Sequence, residues 1–207
     1  MSLTLRTDQV SPGQRAAASR LADAVRRLGQ EAVVAELDPE AMIAAAEQIE
    51  TLADRLPRSG RAGALRDPVD APLVARQDGT PLRTAAYNPF GIPLDIRFSP
   101  AADFAWADLV ADFTHEGPPS AVHGGIVAWL MDVVLGVLVQ ARGASAYTRS
   151  LEVTYRRPTP LGAPLRLEAR WLATSGRRTE VEGIVRCGGE VTASARGEFV
   201  APRPSAP

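Results

Sequence analysis

A chain of 207 residues has room for one domain and an extension but not for two full-sized domains, and its 45% apolar residues suffice for a buried core. A formal net charge of -1 gives no bulk attraction to nucleic acid or to an anionic membrane surface, so any anionic ligand must be met by local arginines. The single cysteine, Cys187, excludes an intrachain disulfide and a thiolate metal cluster and suits a reducing compartment.

The opening stretch MSLTLRTDQV has no apolar signal core. No apolar run reaches the roughly 18 residues that span a bilayer; the longest, at 126–139, is interrupted by Asp132. A cytoplasmic protein without a membrane partner is therefore expected.

Residues 11–56 predict two helices. Ser11-Pro12 is a cap followed by proline at the first helical position, and Leu21, Ala24, Val25 and Leu28 recur at helical spacing. Asp38-Pro39 repeats the start signal, and Met42, Ala45, Ile49, Leu52 and Leu56 form a stripe that Pro57 stops. With no convergent polar cluster, the pair reads as a packing or oligomerisation arm. The expected division is a helical extension over 1–60, a linker over 61–84, a main domain over 85–201 and a disordered tail over 202–207. The linker, rich in Pro, Gly and Arg, has room for one short strand.

The pattern changes near residue 94. Segments 94–98 and 107–114 alternate as strands do, His123-Gly124-Gly125 opens an apolar helix that runs to about 141, and four alternating segments follow. The segments are carried by Leu151 to Tyr155, Leu165 to Trp171, Val181 to Cys187, and Val191 to Phe199. Turn residues between them favour an antiparallel meander. One helix beside one sheet is an α+β, two-layer arrangement. That helix is apolar around its circumference, so a curved sheet should wrap one side and a second surface, most simply another copy of the chain, should cover the other.

Two features on this helix point to chemistry. The first N–H groups of a helix lack intrahelical partners and carry positive partial charge. Glycines there admit a ligand, so Gly124 or Gly125 reads either as a plain turn or as an N–H donor for a carbonyl oxygen that becomes negative. Asp132 has no Lys or Arg between Gly124 and Gln140 to pair with. Buried alone, its charge would be costly, which leaves either a carboxylate satisfied by backbone or hydroxyl donors, or a functional one. His115 and His123 without an acidic cluster suggest no metal site, Cys187 reads as a core residue, and no serine sits in a nucleophile elbow.

The phrase HEGPPSAVHGGIVAWLMDVVLG, with an acid nine positions after His123, resembles hotdog-fold acyl-CoA thioesterases of the phenylacetate-pathway type, in their Gly-Pro-Pro variant. YTRSLEVTYRRPTPLGAPLRLEARWL and the two segments after it resemble the later strands of that fold. The resemblance spans about residues 85–201. It implies a hotdog fold and hydrolysis of an acyl-CoA to free acid and CoA, without metal or organic cofactor. Asp132 would be general base or nucleophile, Gly124 the oxyanion donor, and His123 would orient the thioester or its loop. Thr148 would orient the water or the carboxylate, and Gly125 with Arg156 and Arg157 would contact substrate, the arginines at phosphates; Arg177 and Arg178 are weaker candidates. The site would lie between the two subunits of a homodimer, possibly within a homotetramer. Gly117 departs from the pattern, since many members carry Asn there. The alternative is a non-catalytic hotdog protein that binds acyl-CoA or a partner through the N-terminal helices, and a dehydratase on the same fold is a third reading.

Overall fold

The structure, a computed structural model, describes residues 10–57 and 64–203. The expectations for the N-terminal stretch, for part of the linker and for the end of the tail fall outside them. Helices α1 (Pro12–Val34) and α2 (Pro39–Arg55) start where the cap signals place them. Ser11 and Gln14 close a reciprocal capping box, and the Asp38 carboxylate accepts from the Ala41 N–H. Their fates differ. α1 docks on the main domain, whereas α2 buries no residue and leaves Met42, Ile49, Leu52 and Leu56 exposed.

The expected linker is partly folded. α3 (Ala71–Gln77) occupies it, with proline in its first turn, and β1 (Leu82–Arg83) follows. The Arg76 guanidinium donates to the carbonyls of Ala141 and Pro100, which ties α3 to the end of the central helix. Sequence reading missed this because a seven-residue helix among prolines and arginines has no apolar stripe to count.

The sheet comprises β2 (Asp95–Phe98), β3 (Phe104–Val110), β4 (Tyr147–Tyr155), β5 (Pro164–Ser175), β6 (Arg178–Cys187) and β7 (Glu190–Val200). β3 starts and ends earlier than the 107–114 alternation suggested, because Asp112 caps a 3-10 turn over Phe113–His115. With β1 the order is β1-β2-β3-β5-β6-β7-β4, with antiparallel pairing throughout. Of the four later strands only β5, β6 and β7 form a meander. β4 crosses over to the far edge, where β7 is its neighbour and no strand of this chain lies beyond it among the described residues.

The central helix α4 (Gly124–Ala141) lies in the concave face of this sheet, the arrangement of a hotdog fold. Its 18 residues exceed the 126–139 run and match the length of a membrane span, but here half of the stretch is buried inside the domain. Val127, Leu130, Met131, Val134, Leu135, Leu138 and Val139 point at the sheet and meet Ile96, Leu165, Leu167, Val181, Val185 and Phe199. Gly183 and Gly197 admit the helix this closely: a Cβ on Gly183 would lie 2.8 Å from the Glu168 carbonyl and 3.0 Å from Leu135. Cys187 is half-buried against this core.

Candidate active site

The glycine loop is a small hairpin rather than an open turn. Glu116 and Val122 bridge, His123 N–H donates to the His115 carbonyl, and Val122 N–H donates to the Thr159 carbonyl. Ser120 holds a left-handed φ of 62°, secured on both sides: its N–H meets the Glu116 carboxylate and its carbonyl accepts from Leu161. Gly117 sits under His123, where an added Cβ would lie 2.6 Å from the His123 Cα. The departure from Asn at this position therefore has a steric cause: any side chain there would push His123 out of place.

His123 is the N-cap of α4. Its Nδ1 accepts from the Gly125 N–H at 3.0 Å, so the side chain positions the loop. Gly125 is thereby removed as an amide donor for substrate, because the neighbouring imidazole uses its N–H. The Gly124 N–H has no hydrogen-bond partner among the described residues. It points from the positive end of an 18-residue helix. The Gly124 carbonyl accepts from the Tyr155 hydroxyl at 2.8 Å, and the ring lies against the glycine. Tyr155 was not singled out in the sequence; the only available signal was an aromatic residue at the end of the strand that carries Thr148.

At the other end of the same helix side, Asp132 is half-buried rather than enclosed, and it has a partner. Thr148 Oγ1 donates to its Oδ1 at 2.8 Å. The idea of an unpartnered buried charge is therefore revised. A hydroxyl and partial hydration support the carboxylate, and its second oxygen has no partner among the described residues. The contact depends on a β-bulge. β4 pairs with β7 through Thr148↔Phe199 and then Ser150↔Glu198, skipping Arg149. Directly opposed residues share a face, so Thr148 lies on the side of buried Phe199 and faces α4. In unbroken alternation with Leu151 and Val153, position 148 would face outward. The skipped Arg149 donates to Glu198 and holds that carboxyl below its usual value despite an opposing desolvation effect.

Gly124, Ala128 and Asp132 recur at four-residue spacing, so they form one row along α4 on the β4 side. Small side chains leave that row open. Eight residues of helix separate its ends by about 12 Å, too far for a single thioester to touch both. Among the other candidates, Arg156 donates to Ser194 Oγ at 3.3 Å and Arg157 pairs with Glu190. Arg177 donates to the Ala201 carbonyl and Arg178 pairs with Glu198. Leu135 and Val139 are fully enclosed by the core, and Trp171 stacks under Arg142, whereas Trp129 is partly exposed on the outer side of α4. No group of three or more His, Cys, Asp or Glu among the described residues could hold a metal ion.

A family model of the thioesterase superfamily matches residues 120–194, from the glycine loop into β7. A crystal structure described as a thioesterase superfamily protein superposes with a TM-score of 0.73 at 27% identity, covering 88% of this chain and 90% of its own. Residues 120–194 therefore carry the thioesterase-superfamily pattern. Coverage of 88% is more than the 85–201 domain supplies, so that structure shares part of the N-terminal extension, which the sequence resemblance had left outside. A 71-residue stretch of the chain also aligns with acyl-coenzyme A thioesterase THEM4 of Mus musculus at 31% identity. That match is 34% of this chain and 30% of the mouse protein, so less than a third of the curated relative is spanned. A Streptococcus mutans UA159 protein solved bound to acetyl-CoA shares the fold at 18% identity and a TM-score of 0.51, over 55% of this chain and 90% of its own.

Proposed function

We propose that this protein is a cytoplasmic acyl-CoA thioesterase that works as a homodimer, with each site assembled from two subunits. The observation that carries the reading is the row on α4, which ends in a supported carboxylate at Asp132 and in an unpartnered amide at Gly124. One chain separates these groups by about 12 Å, so a thioester needs the other copy's group. β4 supplies the way to bring them together. It is an exposed edge strand of nine residues, an open row of backbone donors and acceptors. Two copies pairing antiparallel about its middle, near Leu151, place the Thr148 end of one strand beside the Tyr155 end of the other. Thr148 touches Asp132 and Tyr155 touches Gly124, so the carboxylate of one subunit meets the amide of its mate.

In this arrangement the thioester carbonyl oxygen accepts from the Gly124 N–H, and the helix dipole stabilises the charge it gains. Thr148 occupies one oxygen of Asp132. The other takes a proton from water as that water attacks the carbonyl carbon. The tetrahedral intermediate collapses, the C–S bond breaks, and the CoA sulfur leaves with the proton. No metal or organic cofactor takes part. Direct attack by Asp132 through an acyl-enzyme anhydride is the second form of the same chemistry, and transfer of labelled solvent oxygen into Asp132 distinguishes the two in a single turnover. Arg157, two residues beyond Tyr155, suits a CoA phosphate, whereas Arg156 reaches Ser194 on the sheet face away from α4 and is the weaker candidate. Arg157 exchanges Glu190 for phosphate at little cost, since an exposed pair contributes about 0–1 kcal/mol.

The test is release of free CoA from a panel of acyl-CoA thioesters, with sedimentation to establish the dimer. Mixing Asp132→Asn with Gly117→Phe chains adds a complementation arm. Each variant is inactive alone, and the mixed dimer regains one intact site. Tight binding of CoA esters with no turnover across the panel would replace the hydrolase with the non-catalytic reading.

A further inference from the structure

Between α1, the 89–93 loop, the 3-10 turn and the start of α4 lies a cavity of 400 Å³. Val25 and Leu28 from α1, Phe90 and Ile92 from the loop, and Ile126 and Trp129 from α4 give it apolar walls. The polar groups around it are occupied. Arg26, with its side chain 11% exposed, pairs with Asp23 and donates to the carbonyls of Ala85, Asn88 and Gly91. The Gln30 amide and the Thr114 hydroxyl donate to Asp112, and His115 Nδ1 accepts from the Asp112 N–H. Most of what faces the space is hydrocarbon, with room near the lower end of small-ligand sites.

The cavity adjoins the catalytic row. Trp129 is one turn after Gly125 and three residues before Asp132, and Ile126 is two residues after Gly124, so the same first turns of α4 serve both. Phe90, 89% exposed, stands at the rim. α1 is a fixed wall here, because the Arg26 contacts tie it to three carbonyls 59 to 65 residues away.

We infer that the N-terminal helix α1 builds the acyl-chain site, and that the cavity between it and Trp129 sets the chain length accepted. The inference rests on the acyl-CoA reading above and adds which hydrocarbon is held and by what. The substrate's nucleotide and pantetheine are polar along their length, so the acyl chain is the part that matches a mostly apolar cavity whose polar side chains are already partnered.

Gly29 provides the test. It lines the cavity, and a Cβ added there meets nothing within 4 Å. Replacing glycine inside a helix removes a cost of about 1 kcal/mol, so Gly29→Leu folds and fills the space. Binding of non-hydrolysable alkyl-CoA thioethers, from ethyl to dodecyl, is measured by calorimetry on the whole protein. Wild-type affinity is expected to rise about four-fold per methylene until the cavity is full, and then to level off. Gly29→Leu moves that plateau to shorter chains and weakens the longest ligand by about ten-fold or more, the loss of roughly two buried methylenes. Trp129→Ala moves the plateau to longer chains. An affinity independent of chain length, or one profile shared by all three proteins, overturns the inference. Failure of the hydrolase reading looks different: the thioethers bind with the expected profile and the corresponding thioesters are not cleaved.

Discussion

The two sides of α4 come from the same 18 residues and do different work. The sheet side consists of Leu130, Met131, Val134, Leu135 and Leu138, all essentially without exposure. The side away from the sheet carries Gly124, Gly125, Ala128, Trp129 and Asp132, small apart from one indole and one carboxylate, with half-buried Ile126, Val133 and Val137 beside them. A helix in contact with water on its outer side would present charges there. This one presents small residues, an indole and a single acid. Bulk fixes where the helix lies, and the lack of bulk leaves room for chemistry on its back.

Substitutions on the two sides should separate into losses of rate and losses of stability, and the largest effect is expected outside. Asp132→Asn lowers kcat by about 10²–10⁴-fold while the urea midpoint stays within error, as expected for a general base on an open row. A wild-type rate in this variant would remove the chemical distinction between the two sides. Inside, Leu135→Ala leaves a void against Gly183 and Gly197 and costs about 2–5 kcal/mol, read by urea unfolding, with kcat per folded molecule unchanged. Thr148→Val keeps the bulge and removes the donor to Asp132. A lost hydrogen bond to a charged group of about 1.5 kcal/mol predicts a rate loss of about ten-fold in the CoA-release assay.

A smaller effect belongs to the rim, where α1 meets the domain. Burial raises the Asp112 carboxyl, but donors from Thr114 and Gln30, with the electrostatic pull of His115, outweigh it and hold the group below its ordinary value. The folded pKa is therefore lower than the unfolded one. Its contribution is complete above the usual carboxylate value of about 3.9 and is lost as pH falls through the folded value. Asp112→Asn should flatten the fall in urea midpoint between about pH 5 and pH 2 relative to the wild type, and identical curves would show that this tie does not hold the rim. The smallest change is expected on α2. Leu52→Ala removes a side chain that is 58% exposed and should shift stability by less than about 0.5 kcal/mol. A larger loss would mean that α2 is covered in the assembled protein.

α1 and α2 show how far local signals reach. Each announces itself by a cap and a proline, and each carries an apolar stripe, yet only α1 joins the domain. Arg26 and Gln30 decide this by contacts with carbonyls and a carboxylate 59 to 82 residues away, and no stripe on α1 encodes those partners. Thr148 illustrates the same limit inside the site. The resemblance implied a role beside the carboxylate, but its direction depends on one skipped residue in the pairing of β4 with β7. Gly125 looked equivalent to Gly124 until the turn of His123 removed its N–H.

From the chain alone came the helix starts, the strand alternation, the glycine turn ahead of an apolar helix, and an acid at the right spacing along it. These depend on side-chain type and on geometry repeating over a few residues, and such short-range physics is written locally. The tertiary structure decided which amide stays free, which face Thr148 takes, that β4 crosses to an open edge, and that α1 closes a cavity beside Trp129. Each depends on groups far apart in the chain meeting within hydrogen-bonding or van der Waals distance, and only the folded backbone sets that proximity.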